Sequence, residues 1–101
     1  MNLGLAIQRL RKEAGFSQTK FAKACNITQT YLSLIENNVK EPNLSTLRKV
    51  AEKLHIPLPV MFFMALDEND VQKEKRSAYN LLAPSIHSMI AEFFSIHPSS
   101  A

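Results

Sequence analysis

Three features of the sequence predict an all-α fold. Only two glycines occur in 101 residues, and runs of β-branched residues are missing. Apolar residues recur at spacings of three and four through most of the chain, the period of one helix face. The stretch Ser17–Glu36 reads as two short amphipathic segments joined by a tight corner.

The first helix is expected over about Leu3–Ala14, where Leu3, Ile7, Leu10 and Ala14 share a face. Gly15 follows with free access to positive φ, and Phe16 tucks under the next helix as an apolar staple. Ser17 can cap a second helix, with Phe21, Ala22 and Cys25 as its stripe, and Asn26 tolerates the left-handed backbone of a corner. Thr28 can cap a third helix, whose stripe is Leu32 and Ile35. Helix, positive-φ corner and capped second helix together make the sequence pattern of a helix-turn-helix.

Asn37 or Asn38 can stop the third helix, and Pro42 keeps the residue before it extended. Asn43 caps a fourth helix over roughly Leu44–Leu54, with Leu44, Leu47, Val50, Ala51 and Leu54 inward. Ile56-Pro57-Leu58-Pro59 is a turn, and Pro59 is the expected first residue of a fifth helix. That helix, VMFFMAL, is apolar on every side and needs cover on every side, of which four helices supply one. After the acidic break Asp67–Asp70, Val71–Ala83 reads as a sixth helix with Val71, Ala78, Tyr79 and Leu82 apolar. Pro84 either kinks it or starts a seventh, since Ile86, Met89, Ile90, Phe93 and Phe94 form a full stripe within Ser85–Ser95. A frayed end is expected over His97–Ala101.

The organisation implied is a first unit over 1–66 and a helical extension over 67–101. Charge divides along the same line. Residues 1–66 carry nine Lys/Arg against four Asp/Glu, a surplus of five positive charges, and residues 67–101 carry three against five. The basic part holds the helix-turn-helix, where a phosphate-binding surface would need it. A hydrophobic share of 46% with 21% charged residues is that of an ordinary globular chain. The lone Cys25 permits no internal disulfide and fits a small core residue. No signal peptide is visible. The longest apolar run, Ile56–Leu66, is eleven residues with two prolines, too short to span a bilayer, so a cytoplasmic protein with no membrane partner is expected.

Residues 5–66 resemble the DNA-binding domain of the Xre/Cro family of phage and bacterial repressors, a five-helix, lambda-repressor-like bundle. The resemblance rests on Arg11, Gly15, Ser17-Gln18, Phe21-Ala22, Ser33, Glu36-Asn37, Pro42, Leu47, Ala51 and Leu54. Asn26 and Asn38 stand where the family often has glycine, and asparagine supplies the same backbone geometry. The fifth helix is more apolar than is usual in the family.

The resemblance implies that the third helix lies in the major groove, with Thr28, Gln29, Thr30 and Ser33 toward base edges and Tyr31 beside them. Gln29 can bond adenine N6 and N7 together, and Thr30 can meet a thymine methyl. No Arg or Lys lies between Thr28 and Glu36, so an A·T-rich site is expected. Gln18 matches the family's phosphate-contacting glutamine, at a helix start whose free N–H groups favour an anion. Lys20, Lys23, Asn38, Lys40 and Asn43 are further phosphate candidates, and each lysine taken singly fits a solubilising role equally well. Arg11 and Glu36 match family positions that pair; as residues alone they could equally be two independent surface charges.

The functional reading is a transcriptional regulator, a repressor by resemblance, that binds double-stranded DNA with a two-fold symmetric site as a homodimer. Its dimer or partner surface is expected at Met61, Phe62, Met64, Ile86, Met89, Ile90 and Phe93. The alternative is an antitoxin or interaction module that binds another protein through 67–101. Neither reading calls for a cofactor or a metal. His55, His87 and His97 lie far apart without partner ligands, and no phosphate-cradling loop or nucleophile arrangement points to an enzyme.

Overall fold

Four side-chain caps start the first four helices. In the computed structural model, which describes residues 1–94, these are α1 (Leu3–Glu13), α2 (Gln18–Ala24), α3 (Gln29–Glu36) and α4 (Leu44–Lys53). Asn2 Oδ1 accepts from Leu5 N at 3.0 Å and Ser17 Oγ from Lys20 N at 3.2 Å. Thr28 Oγ1 accepts from Tyr31 N at 3.0 Å and Asn43 Oδ1 from Thr46 N at 2.8 Å. Each bond satisfies a donor that the helix itself leaves free. The expected ends at 97–101 fall outside the described residues.

The same four helices stop in one way. Gly15, Asn26, Asn38 and His55 follow them at φ of 86°, 57°, 59° and 56°. Each donates to the carbonyl three residues back, and the next residue donates to the carbonyl five back, as Asn26 N to Lys23 O and Ile27 N to Ala22 O. This is the Schellman stop, in which a left-handed residue turns the chain out and an apolar one folds back. Phe16, Ile27 and Ile56 do fold back onto the core, whereas Val39 stays 68% exposed. His55 in this role has no warning in its residue type.

The fifth helix, α5 (Leu58–Ala65), starts one residue earlier than expected, with Pro57 as its cap. Pro59 therefore sits in its first turn, where an N–H has no helical partner to lose. One core joins the helices. Ile7, Leu10, Phe21, Ala22, Cys25, Leu32, Ile35, Leu47, Val50, Ala51, Leu54, Ile56 and Met61 pack together, and Ile90 reaches them from the extension.

The extension differs from expectation. Residues 71–75 are not α-helical; tight turns over Glu68–Asp70 and Lys73–Lys75 lead into a single helix, α6 (Arg76–Phe93), that runs through Pro84. Pro84 and Asn80, whose carbonyl Pro84 cannot bond, are both exposed residues of this helix. It covers a second side of α5. Tyr79 Oη donates to Leu66 O at 2.9 Å, and His87 meets Phe63 edge-on at 5.5 Å. Leu44, expected inward, is 49% exposed, and Leu82 of the extension is 56% exposed. A groove of about 370 Å³ along α5, lined by Leu58, Pro59, Phe62, Phe63, Leu66 and Met1, stays open.

Candidate nucleic-acid interface

The cap at Thr28 and the left-handed Asn26 fix the turn between α2 and α3, and they set which way α3 faces. Leu32 and Ile35 are essentially fully buried, which pins one side of α3 to the core. Thr28, Gln29 and Thr30 are then exposed on the other side, with Tyr31 and Ser33 half-buried beside them. Thr28 spends its oxygen on the cap and keeps its hydroxyl hydrogen as a donor. Thr30 offers a free hydroxyl and methyl at the start of the helix.

A chain of hydrogen bonds runs behind this face. Arg11 and Glu36 are 6% and 4% exposed and meet in a two-bond ion pair, Nε to Oε2 at 2.7 Å and Nη2 to Oε1 at 3.0 Å. Arg11 Nη1 also donates to Phe16 O at 2.9 Å, so the guanidinium ties α1, the α1–α2 turn and the end of α3 together. Glu36 Oε1 accepts a further bond from Gln18 Nε2 at 3.1 Å. Gln18 Oε1 in turn accepts from Gln29 Nε2 at 3.2 Å. A buried charge pair needs its remaining lone pairs satisfied to be tolerated, and Gln18 supplies that partner. The result is that Gln29 is held at its amide nitrogen, with its Oε1 and one N–H left for a ligand. That pair of groups matches adenine N6 and N7.

The phosphate candidates separate into two sets. Lys20, Lys23 and Lys40 are exposed, with no carboxylate within 4.0 Å among the described residues. Gln18 is half-buried at the first position of α2, and Asn43 caps α4 while its Nδ2 stays free. Asn38 is exposed as well, and its side chain is partly engaged: Oδ1 accepts from Gly4 N at 3.2 Å and Nδ2 donates to Asn2 Oδ1 at 2.8 Å. It fastens the start of α1 to the end of α3 and keeps one N–H of its amide.

Two of the seven expected dimer or partner residues are corrected. Met61 is fully buried and Ile90 is 8% exposed, because both fill the space between α5, α6 and the bundle. Phe62, Met64 and Ile86 are half-buried, and Met89 and Phe93 are 53% and 75% exposed.

Reading the sequence missed Asn2 and Gly4. A Cβ on Gly4 would stand 2.4 Å from Ile35 O and 2.9 Å from Glu36 O, so α1 can approach the end of α3 only because Gly4 has none. A glycine inside an otherwise periodic helix was the available signal. Among the described residues no group of three His, Cys, Asp or Glu is placed to hold a metal ion, and no helix is long and apolar enough to cross a membrane.

The family described as helix-turn-helix matches residues 7–61, from α1 into α5. The immunity repressor protein of Bacillus phage phi105 is 34% identical over 80 residues, 79% of this chain and 53% of its own length. The ImmF control region 10 kDa protein of the same phage is 41% identical over 59 residues, 58% of this chain and 66% of its own. Control protein C.MunI of a Mycoplasma species is 33% identical over 75 residues, 73% of this chain and 93% of its own. The chain thus spans about half the length of the immunity repressor. No solved structure matches it significantly.

Proposed function

The chain belongs to the helix-turn-helix family, and from that premise we propose that it regulates transcription by binding double-stranded DNA, as a repressor. Residues 1–66 read the DNA and residues 67–101 join two copies, so that a homodimer meets a two-fold symmetric operator. The observation that carries the reading is the exposed start of α3, where Gln29 is tied from behind through Gln18 to the buried Arg11–Glu36 pair. A solvated helix face has no need of a base-pairing amide fixed by a buried charge.

In this reading α3 enters the major groove. Gln29 takes an adenine through its Oε1 and free N–H, and Thr30 takes a thymine methyl or a base-edge acceptor. Thr28 and Ser33 contact base edges at the margins, and Tyr31 lies along them. Lys20, Lys23, Lys40 and Asn43 hold phosphates on either side, and the start of α2 with Gln18 holds another.

Selection of bound sequences from a random DNA pool at physiological salt tests this directly. The expected product is an inverted repeat with half-site centres about 34 Å, or 10–10.5 base pairs, apart. Its most constrained half-site positions are A·T, and Gln29→Ala relaxes one of them, at about 1–3 kcal/mol of discrimination. Recovery of no enriched sequence, or of half-sites constrained only at G·C pairs, would overturn it.

A further inference from the structure

Asn2 is exposed, yet it bonds to three parts of the fold at once. Its N–H donates to the carbonyl of Ala65, the last residue of α5, at 2.8 Å. Its Oδ1 accepts twice, from Leu5 N in α1 at 3.0 Å and from Asn38 Nδ2, just past α3, at 2.8 Å. A cap needs only the bond from Leu5; the other two have no part in starting α1. Tyr79 of α6 donates to the next carbonyl, Leu66 O, at 2.9 Å. Two consecutive carbonyls thus hold the start of α1 and the extension.

These contacts bear on how α3 is aimed. The helix has eight residues, so only about 12 Å of it separates the exposed Gln29 from the end that is tied down. The Arg11–Glu36 pair fixes its last residue. A short helix fixed at one point near its end can swing about that point, and a second anchor beside the first removes the swing. Asn38 is that anchor, through its bonds from Gly4 N at 3.2 Å and to Asn2 Oδ1. A Cβ on Gly4 would stand 2.5 Å from Asn38 Oδ1, so the glycine and the asparagine fit as a pair. Hydrogen bonds made this close to water add little to stability, which leaves orientation as what they supply.

We propose that Asn2 is a positioning residue for DNA recognition: it sets the angle of α3 against the end of α5, so that one side chain holds the reading helix and the extension to each other. The inference rests on the reading of α3 as the helix that contacts DNA. Among the described residues no hydrogen bond runs directly from α3 to α5 or α6, which makes Asn2 the polar route between them.

Three variants of the full chain separate positioning from capping. Asn2→Ser keeps an oxygen for Leu5 N, as Ser17 does for Lys20 N, but is a bond too short to reach Asn38. Asn2→Asp keeps an oxygen able to accept both bonds. Asn38→Gly keeps the left-handed backbone at φ 59° and loses both amide bonds. In proton–nitrogen correlation spectra taken without DNA, Asn2→Ser and Asn38→Gly should shift the amides of residues 28–33, and Asn2→Asp should leave them in place. Tyr79→Phe should shift the same amides in the wild-type chain and not in Asn2→Ser. On a half-site duplex Asn2→Ser and Asn38→Gly should each weaken binding about 3–10-fold, the two together no more than either alone, with Asn2→Asp within about two-fold of wild type. Should Asn2→Ser lose helical circular dichroism, Asn38→Gly, which leaves the cap intact, gives the same information. Unmoved amides in α3, additive losses, or an Asn2→Asp that behaves as Asn2→Ser would overturn the positioning role. A Tyr79→Phe effect that is absent from the wild-type chain, or that persists in Asn2→Ser, would overturn the link to the extension. A wild-type chain that binds no duplex would count against the DNA reading alone, because the spectra test the angle of α3 without it.

Discussion

At Glu36 one carboxylate holds two side chains directly and a third at one remove. Arg11 and Gln18 donate to it, and Gln18 carries Gln29. Glu36→Ala leaves a buried guanidinium without its counter-charge, and urea denaturation should show a loss of about 3–5 kcal/mol. The Arg11→Met, Glu36→Leu double variant should lose much less than the sum of its singles. Cys25 is a residue-scale case of the opposite kind. Burial pushes its thiol from the usual 9.0 up to about 11, against a small opposing pull from Lys53 and Lys49. The neutral thiol is therefore favoured in the fold. Above pH 9 the unfolded chain loses this proton while the folded chain keeps it, so this group's contribution to stability falls as pH rises toward 11. A thiol reagent at pH 8 should leave the native protein unmodified and label it fully in denaturant. What could be read beforehand follows the same division. Cys25 on an apolar stripe and Thr28 before one were legible because their neighbours lie within a helical turn. The bonds of Asn38 were not, because their partners, Asn2 and Gly4, lie more than thirty residues away in the sequence.

Among the elements, α1 and α3 meet most closely at Gly4. Within a helix, Gly→Ala ordinarily stabilises, by about 1 kcal/mol. Gly4→Ala should do the reverse, because two of the atoms in its way, Ile35 O and Glu36 O, are backbone. A loss of about 1–3 kcal/mol is expected, with a lower Tm by calorimetry and weaker operator binding as the end of α3 shifts. The start and period of α1 to α4 were readable because caps and apolar spacing agree along each helix. The extension was expected as one or two helices and is one, α6, but its orientation was not readable. Its apolar residues lie on both faces of α6, and periodicity alone cannot say which face meets the bundle. Pro84 kept a second start open, and α6 runs through it.

Over the whole molecule, charge is unevenly divided between the bundle and the extension. The bundle holds the positive surplus, and α6 carries no Asp, Glu, Lys or Arg between Arg76 and Glu92. If six to ten phosphates are neutralised by the paired copies, operator affinity should fall by about 10³–10⁵ between 50 and 200 mM salt. Fluorescence anisotropy titrations at several salt concentrations check this, and Lys20→Ala or Lys40→Ala, each present in both copies, should flatten the slope by roughly two phosphates' share. The four helix stops at Gly15, Asn26, Asn38 and His55 have a bearing on how the chain arrives at this state. Each is closed by bonds reaching no more than five residues back, so every boundary of the bundle can be drawn before any distant segment has been found. Little entropy is spent on closing long loops, and chains built this way cross their barrier in microseconds to milliseconds.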